Sequence, residues 1–353
     1  MKISAIRGIV DRMKKPIISI SLVVWNGKQY LSKCLDSIAN QQFQDFELLI
    51  LDNGSTDGTR EFLEQLNAEK YHIRTIEHLP KNIGFAAGHN ALFRQARGEF
   101  VLCLNQDVEL GDNYISGIVE FCKKDPRAGS AAGILLRSQN GEKVIDSAGL
   151  EIFRNRRIAE IGAGDKFTLL SDDRQTKEWN REVFGVSAAA AVYRMAALRD
   201  VAENTNGRES FFDEDFFSYK EDVDLAWRLR HRGWQSFVLP VSGAHIRSAK
   251  AEGDSQIKTI FGRAKKSALA NFNSQKNHLF VLIKNDFLRN AAVDIIPVLW
   301  YELMKFIYII LFEWRTIPAY FVFMASLPKM LKKRKRILAR SVALAQEMRK
   351  WFE

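Results

Sequence analysis

Strand-like and helix-like segments alternate along the first hundred residues, and this alternation limits the possible folds more than any other feature of the sequence. The apolar segments typical of strands are 15–27, 46–59, 71–79 and 99–107. Segments with a helical spacing of apolar residues separate them, at 30–42, 61–68 and 86–97. A strand-to-strand interval of about 25–30 residues favours a parallel sheet with right-handed crossovers. We therefore predict an α/β fold with a mixed, mainly parallel sheet flanked by helices.

Polar side chains follow three of these four strands. Asn26, Asp52 and Asp107 each stand at the carboxyl end of an apolar segment. Open α/β sheets bind their ligands at that edge. The third end, Asn105-Gln106-Asp107, presents two amides and a carboxylate side by side. One interpretation is a turn, because Asn, Asp and Gly commonly end strands. The other is a metal or phosphate site.

The composition argues against several classes of protein. The chain has 353 residues, enough for one large domain or two smaller ones. Its three cysteines form no CxxC pair, which argues against a disulfide scaffold or a zinc ribbon and favours a reducing compartment. Residues 1–15 are basic but lack a continuous apolar segment, so we expect no secretion signal. No window of about 18 uncharged apolar residues is present, so we expect no spanning helix.

Two further segments have the composition of ligand-binding loops. In LDNGSTDG, residues 51–58, Asp52 precedes a tight turn and can accept hydrogen bonds from a ribose or a pyrimidine base. In KNIGFAAGHN, residues 81–90, two glycines stand before or at the start of a helix, where the backbone can approach a phosphate. The second segment is neither a P-loop nor a GxGxxG motif. Each is a weak signal by itself.

The segment FFDEDFFSYKEDVDLAWRLRHRGW, residues 211–234, places acidic residues among aromatic ones. Its six carboxylates are Asp213, Glu214, Asp215, Glu221, Asp222 and Asp224. A helix over 218–233 has the last three in its first turn, where the helix dipole favours negative charge, and this is the structural explanation. The functional explanation is that apolar residues bury much of the helix. Some of its carboxylates then face a partly dry cleft and can take a proton from an alcohol.

In this order the motifs resemble those of the family-2 glycosyltransferases of GT-A fold. The matching features are the strand ending in Trp25-Asn26, then LDNGSTDG, NIGFAAGHN, LNQD, the acidic segment, and His245 in GAHIRSAKAEGDS. Within that family the chain looks most like the rhamnosyltransferase-like branch of bacterial enzymes that build surface polysaccharides.

The resemblance implies a nucleotide-diphosphate sugar as donor, Mg²⁺ or Mn²⁺ as cofactor, and an inverting displacement by an acceptor hydroxyl. Asp222 matches the general base, with Glu221 beside it. Asp107 and His245 match metal-binding positions, and an oxygen-rich site suits those cations. The predicted donor-binding residues are Trp25, Asn26, Asp52, Asn53, Gly84, His89 and Asn105, and the predicted acceptor residues are Asp213, Glu214 and Trp234.

Two positions depart from the family pattern. Asn105 stands where the first aspartate of the DxD motif is expected, so Asp107 is the one carboxylate left for the metal. We therefore expect weak metal affinity or help from His245. His89 stands where many relatives carry an arginine, which puts its contact with the donor in question.

The resemblance also divides the chain. It implies a GT-A catalytic domain over residues 16–285, with a donor half at about 16–127 and an acceptor half at about 128–285. Residues 1–15 are then an N-terminal extension, and residues 286–353 form a C-terminal amphipathic helical region.

The C-terminal region is both apolar and basic. Residues 271–353 carry 14 Lys and Arg against 6 Asp and Glu, and residues 329–340 contain seven basic residues and no acidic one. Interfacial segments with a polybasic flank bind anionic lipid. We predict that residues 291–340 hold a cytoplasmic enzyme on the inner face of the plasma membrane. A half-buried helical hairpin in the protein core is the alternative. Nucleic acid is not an expected partner, because the aromatics lie among aliphatics rather than among the basic residues.

The donor that we favour is dTDP-rhamnose, and the acceptor a glycan or an undecaprenyl-diphosphate-linked sugar. A sugar nucleotidyltransferase is a second hypothesis. It requires a glycine-rich, basic loop after the first strand, which WNGKQY matches poorly. An inactive, membrane-bound carbohydrate-binding subunit is a third. Asn105 favours it, whereas Asp107, Asp222 and His245 argue against it.

Overall fold

The computed structural model describes residues 15–167, 179–205, 207–246 and 267–352. All but the last residue of the predicted N-terminal extension lies outside these ranges. The strands are β1 Ile18–Val24, β2 Phe46–Asp52, β3 Ile73–His78, β4 Phe100–Asn105, β5 Val108–Leu110, β6 Ala128–Gln139, β7 Glu142–Ser147, β8 Leu150–Ile152, β9 Ile158–Glu160, β10 Arg181–Val183, β11 Ala190–Arg194, β12 Glu203–Thr205, β13 Arg208–Ser210 and β14 Gln235–His245.

Helices connect and cover these strands. They are α1 Lys28–Ala39, α2 Thr59–Glu64, α3 Phe85–Phe93, α4 Tyr114–Lys124, α5 Met195–Val201, α6 Glu221–His231, α7 Ala268–Asn285, α8 Leu288–Val293, α9 Ile295–Phe312, α10 Pro318–Ala339 and α11 Ala345–Arg349. Short 3₁₀ turns at Glu214–Phe216 and Trp314–Thr316 precede α6 and α10.

The central sheet has ten strands. Eight follow the order β10, β14, β6, β11, β4, β1, β2, β3, while β5 pairs with β14 and β7 pairs with β6. Strand β1 pairs in parallel with β2 and β4, and β2 pairs in parallel with β3. Strand β11 runs antiparallel to β4 and β6, while β14 runs parallel to β6. The predicted α/β fold with a mixed, mainly parallel sheet is confirmed.

The central strands are apolar on both faces because helices cover the sheet on both sides. In β2, Leu48 and Ile50 pack into a core with residues of α1 and α4. Leu49 and Leu51 pack into a second core with residues of α3 and α6. Residues that leave the sheet at the carboxyl ends of β1, β2 and β4 therefore share one edge.

Strand β14 is longer than the sequence indicated. The apolar segment WQSFVLP, residues 234–240, predicts a strand that ends at Pro240, but the structure continues it to His245. A register shift against β6 lies between Leu239 and Ser242, so the irregularity accommodates the proline that cannot donate to the ladder. The extension pairs His245 with Val108 of β5 and brings it to the edge where β4 ends.

The C-terminal helices pack on the residues that precede them in the chain. A third core joins Phe216 and Trp227 to Phe280, Met330 and Met348. Residues on both sides of the predicted boundary at 285 thus share one hydrophobic core.

Helix α9 is different, because Ile309 is its one fully buried residue. By length and composition α9 is the one helix of the described residues that could cross a membrane, with a mean hydropathy of 1.8 and 6% of its residues buried. The sequence predicted no helix of this kind, so α9 corrects that prediction as far as length and composition are concerned. Helix α9 does contain two charged residues, Glu302 and Lys305.

Candidate functional site

The loop after β2 is held by the polar residues that end the first two strands. Asp52 is buried, and its Oδ1 accepts from the backbone N–H of Ser55 at 3.0 Å. The Oδ2 atom of Asp52 lies 3.1 Å from Nδ1 of His78. Asn26 has a positive φ of 48° and accepts from the backbone N–H of Thr56 at 2.8 Å. The motif LDNGSTDG is therefore a fixed loop beside the end of β1.

The exposed side chain of Trp25 stands beside this loop, and Gln106 holds its backbone. Gln106 accepts from the N–H of Trp25 at 2.8 Å and donates to its carbonyl at 3.0 Å. Gly27 makes room for this amide, since a Cβ there would lie 2.1 Å from Oε1 of Gln106. No local signal in the sequence indicates a structural role for Gln106. It joins the ends of β1 and β4.

Asn53 organises the glycine-rich loop. Its Oδ1 accepts from the N–H of Ile83 at 2.9 Å, and its Nδ2 donates to the carbonyl of Gly84 at 3.1 Å. Gly84 has a φ of 91°, and a Cβ there would lie 2.6 Å from the carbonyl oxygen of Phe217. The loop therefore contacts the backbone of the turn that leads into α6.

His89 lies beneath this loop, inside the protein. It is fully buried, with Nδ1 2.8 Å from the hydroxyl of Ser21 and its ring centroid 4.3 Å from that of Phe85. Burial lowers the pKa of His89 to about 3, so the ring is neutral. The side chain supports β1 and α3 from within, and we remove it from the proposed donor contacts.

Asp107 and His245 meet at the end of β4. Nε2 of His245 lies 3.6 Å from Oδ1 of Asp107, and the backbone N–H of Ile246 donates to the carbonyl of Asp107 at 2.9 Å. Nδ1 of His245 lies 2.8 Å from Oδ2 of Asp146, a buried residue of β7. Burial lowers the pKa of His245, but hydrogen bonds to Asp107 and Asp146 outweigh burial and raise the pKa to about 9.

This pair fits a divalent cation that takes further ligands from elsewhere. Within the described ranges, no group of three or more His, Cys, Asp or Glu is arranged to hold a metal ion. Asp107 offers a carboxylate and His245 an imidazole. Asp146 orients that imidazole as partner carboxylates do for metal-bound histidines. Asn105, at the end of β4, adds a neutral amide in place of a second carboxylate.

Asp222 lies at the start of α6 and is tied to the end of β4. Its Oδ2 accepts from the backbone N–H of Ala188 at 3.3 Å, and its Oδ1 from that of Val223 at 2.8 Å. The next residue along the chain, Ala189, accepts from the backbone N–H of Asn105 at 2.8 Å. The Ala188–Ala189 segment thus joins the carboxylate of Asp222 to the strand that carries the predicted metal residues.

Glu221 is buried beside Asp222, and Oε2 of Glu221 has no hydrogen-bond partner among the described residues. Burial, and then the neighbouring Asp222, raise the pKa of Glu221 to about 8. Burial also raises the pKa of Asp222 above its usual value. The raised pKa of Glu221 keeps a proton on its carboxyl group near neutral pH.

Asp213 belongs to a buried ion cluster made of Asp213, Asp224, Lys284 and Lys333. Oδ2 of Asp213 lies 2.5 Å from Nζ of Lys284, and Oδ1 lies 2.5 Å from Nζ of Lys333. The same Lys284 ammonium lies 2.8 Å from Asp224. Burial acts to raise the pKa of Asp213, but the two lysines hold it well below its usual range. Both carboxylate oxygens are occupied, so we remove Asp213 from the predicted acceptor residues.

The other two predicted acceptor residues differ in position. Glu214 is exposed and accepts from Nδ2 of Asn90 at 3.0 Å, so it stays a candidate. Trp234 precedes β14, whose first residue, Gln235, pairs with Ala128 at the start of the parallel strand β6. Its Nε1–H donates to Asp200 at 2.9 Å. Trp234 therefore lies at the opposite edge of the sheet, and we remove it from the site.

Comparison with known proteins identifies the family. Residues 19–202 match the sequence model of glycosyl transferase family 2, which is more than half of the chain. The chain belongs to glycosyltransferase family 2. This family-2 enzyme has curated relatives in several bacteria.

The N-acetylglucosaminyl-diphospho-decaprenol L-rhamnosyltransferase of Mycobacterium tuberculosis is 26% identical over 252 residues, covering 67% of this chain and 78% of that protein. The putative teichuronic acid biosynthesis glycosyltransferase TuaG of Bacillus subtilis is 29% identical over 127 residues, covering 36% of this chain and 50% of that protein.

Solved structures show the same fold. GalNAc-T7, crystallised with UDP, GalNAc and Mn²⁺, matches with a TM-score of 0.55 at 12% identity, over 77% of this chain and 48% of that chain. TarS 1–349 of S. aureus in complex with UDP-GlcNAc matches with a TM-score of 0.50 at 15% identity, over 95% of this chain and 92% of that chain. The family-2 enzyme thus has the GT-A fold that its sequence predicted.

Proposed function

We propose that this family-2 glycosyltransferase inverts the anomeric centre of its donor sugar. In this proposal it moves L-rhamnose from dTDP-rhamnose to a hydroxyl of a lipid-linked or polysaccharide acceptor in cell-surface glycan biosynthesis. The rhamnosyltransferase relative supports the choice of sugar and of a lipid-linked acceptor. One observation carries the mechanism. The Ala188–Ala189 segment holds the carboxylate of Asp222 against the end of β4, two residues before Asp107.

The donor nucleotide would lie over the ends of β1 and β2. Trp25 offers an exposed ring beside the fixed loop of Asp52. Asn53 and Gly84 hold the glycine-rich loop at the start of α3, where the helix amino terminus favours an anion. The aromatic face suits the base, and the backbone of the loop suits the ribose or the diphosphate.

Asp222 would act as the general base. It takes the proton of the acceptor hydroxyl while the oxygen of that hydroxyl forms a bond to the anomeric carbon. The bond from that carbon to the nucleoside diphosphate breaks on the opposite face, so the configuration inverts. Glu221 keeps its own proton near neutral pH because of burial and the charge of Asp222, which leaves one base in the pair.

Asp107 and His245 would hold Mg²⁺ or Mn²⁺, and Asp146 would orient His245. When bound, the cation supplies positive charge to the leaving nucleoside diphosphate. The Mn²⁺ in the GalNAc-T7 structure supports a divalent cation. Since Asn105 brings no charge, we expect affinity for the free cation to be weak until a diphosphate adds its oxygens.

The C-terminal region would bind the inner membrane surface. Helix α9 exposes large apolar side chains to solvent, Trp300 and Phe312 among them, and Trp314 and Phe321 continue this surface toward α10. Of the seven basic residues in 329–340, four bond to the protein itself: Lys329, Lys333, Arg334 and Arg340. The exposed Lys332, Lys335 and Arg336 remain for lipid. Three of the seven basic residues are then available to bind lipid. Together they contribute about 3 kcal/mol of attraction to an anionic membrane surface, at about 1 kcal/mol per basic residue.

An interfacial position suits α9 better than a spanning one. Glu302 of α9 lies 2.6 Å from Nε2 of the buried His278, and so joins the helix to α7. Tyr320 of α10, whose ring packs on that of Phe306 in α9, accepts from Gln275 of α7 at 3.1 Å. These contacts keep one face of α9 on the protein and leave the other face for the lipid surface.

A donor panel tests the proposed reaction. Purified full-length protein is supplied with Mg²⁺ or Mn²⁺ and with dTDP-, UDP- and GDP-sugars, and nucleoside diphosphate release is measured. We expect release to be fastest with dTDP-rhamnose and to stop in EDTA. Faster turnover of another nucleotide sugar would refute the choice of donor. Formation of a nucleotide sugar from a nucleoside triphosphate and a sugar 1-phosphate would refute the reaction class.

A further inference from the structure

The turn that leads into α6 has an unusual backbone. Phe217, Tyr219 and Lys220 all have positive φ angles, of 64°, 72° and 66°. None is glycine, and side chains other than those of Gly, Asn and Asp rarely adopt this conformation. Strained backbone of this kind persists where the surrounding structure holds it, commonly at functional sites. Here it stands directly before Glu221 and Asp222.

One side chain holds most of this turn. Asn277 of α7 is fully buried, and its Nδ2 lies 2.9 Å from the carbonyl oxygen of Phe216, 2.8 Å from that of Ser218 and 2.7 Å from that of Tyr219, so its two N–H groups are shared among three acceptors. Its neighbour Lys276 donates to the carbonyl of Asp215 at 2.7 Å. Two adjacent residues of one helix therefore bind four carbonyl groups of the turn.

These bonds connect the backbone of the turn to α7. The carbonyl groups of Phe216, Ser218 and Tyr219 face α7, whereas that of Phe217 faces the start of α3. A buried carbonyl group without a hydrogen-bond donor destabilises a fold, so the amide of Asn277 stabilises this backbone conformation. An aspartate at 277 would place a second oxygen against three carbonyl oxygens and remove the donor.

The turn is also connected to both halves of the site. The carbonyl of Phe217 accepts from the backbone N–H of Ala86 at 3.2 Å, at the start of α3. After the turn, Asp222 is held from the other side by Ala188 at 3.3 Å. Any displacement of the turn therefore moves the start of α6 relative to the glycine-rich loop and to the end of β4.

We infer that Asn277 is a positioning residue for the transfer reaction, acting through the turn 216–220 to fix Asp222 opposite the donor. This inference rests on the proposed function of Asp222 as base. Asn277 itself touches neither donor nor acceptor in this scheme. A shift of about 1 Å at a catalytic group typically lowers turnover by about 100-fold, which sets the size of the expected effect.

Hydrogen exchange tests the structural half of the inference. The variants are Asn277→Ala and the isosteric Asn277→Asp, in the full-length protein. The matched control is Gln275→Met, which removes a buried amide of the same helix whose bond goes to Tyr320 and not to the turn. We expect amides of 215–222 to exchange at least about 10-fold faster in both Asn277 variants and at the wild-type rate in the control. Wild-type exchange in the folded Asn277 variants would overturn the inference.

Steady-state kinetics test the catalytic half. With the best donor from the panel, we expect kcat to fall by about 10- to 100-fold in the Asn277 variants while the donor KM stays within about 2-fold. The acid limb of the kcat–pH profile, which reports the base, should move in these variants and stay in place in Gln275→Met. Unchanged kcat together with fast exchange would also overturn the inference. If the wild-type chain transfers no sugar at all, the proposed function fails, and the exchange data still decide whether Asn277 holds the turn.

Discussion

Oδ2 of Asp146 lies 2.8 Å from Nδ1 of His245, which leaves Nε2 of the same ring facing Asp107 at 3.6 Å. Asp146 is itself 3.6 Å from Nε of Arg137 on the neighbouring strand. The line of side chains crosses β6, β7 and β14 and ends at Asp107, the second residue after β4. It fixes the rotation of the imidazole, so that Nε2 is the ring atom that faces Asp107.

The first prediction follows from this line. Replacing Asp146 with Asn exchanges the carboxylate that orients His245 for a neutral amide, and losing such a carboxylate partner typically costs about 10- to 100-fold in metal affinity. We expect Mn²⁺ binding in the presence of dTDP, measured by calorimetric titration, to weaken by that factor. Asp36→Asn is the control, because Asp36 pairs with Lys70 on the surface. Equal Mn²⁺ affinity in the two variants would show that His245 does not hold the cation.

The second prediction concerns the base. Asp222→Asn should lower kcat by at least about 100-fold, the usual contribution of a general base, without weakening donor binding. Glu221→Gln is the matched control, because Glu221 is already protonated near neutral pH and a glutamine resembles that form. Nucleotide release and thermal shift with the donor measure the two effects. Normal transfer by Asp222→Asn would move the role of base to another residue.

The third prediction is a pH dependence of stability. Glu221 has a pKa of about 8 in the folded protein, against a usual value of 4.5. The folded state therefore binds a proton that the unfolded state has lost between these values, so its contribution to stability is complete below about pH 4.5 and is lost as pH rises through 8. Glu221→Gln should lose less unfolding free energy than the wild type between pH 5.5 and 8.5 (both approximate) in urea titrations. Parallel curves for the two proteins would contradict the raised pKa.

The fourth prediction compares two glycines. Gly84 and Gly141 both have positive φ, but a Cβ at Gly84 meets the carbonyl of Phe217 at 2.6 Å, whereas a Cβ at Gly141 meets nothing within 4 Å. Gly141→Ala should cost about 1–2 kcal/mol for the backbone conformation alone. Gly84→Ala should cost about 1–3 kcal/mol more through overpacking, and should also lower kcat/KM by displacing the turn. Denaturant melts and donor kinetics measure both, and equal losses at the two positions would contradict a close contact at Gly84.

The fifth prediction concerns the membrane surface. Changing Lys332, Lys335 and Arg336 to Gln removes about 3 kcal/mol of attraction, which is about 100-fold in partitioning onto anionic phosphatidylglycerol vesicles. Lys123→Gln with Lys124→Gln, two exposed charges at the end of α4, is the control. Co-sedimentation measures the bound fraction. Unchanged binding by the triple variant would locate the lipid contact elsewhere.

The sheet was predictable because its signals are local. Each central strand is a short apolar run that ends in a polar residue, and a helix with one apolar face separates it from the next. Parallel pairing then follows from the helical crossovers, so the common edge of Asp52 and Asp107 could be anticipated. The role of Asp222 came from the family resemblance and stays a prediction. What the structure adds is its contact with Ala188, beside the residue that bonds to the end of β4.

The parts that could not be predicted depend on residues distant in the chain. Asp213 looked like an acceptor residue, but Lys284 and Lys333 neutralise it from helices 71 and 120 residues away. Neither Asp146 nor Asn277 lies in a recognisable motif. The one local sign of a role is that each is a polar residue in a segment that the fold buries. The end of β14 was missed because Pro240 normally ends a strand, and a register shift in the tertiary structure overrides that preference.

The buried ion cluster constrains the evolution of this enzyme. Asp213 precedes the base in the chain, yet one of its two ammonium partners, Lys333, comes from the helix that would face the lipid. Removing one partner of a buried ion pair costs about 3–5 kcal/mol. A tail exchanged with that of another enzyme would destabilise the catalytic half unless the new tail brought its own lysine to the same place. The C-terminal helices and the residues around Asp213 are therefore inherited as one unit.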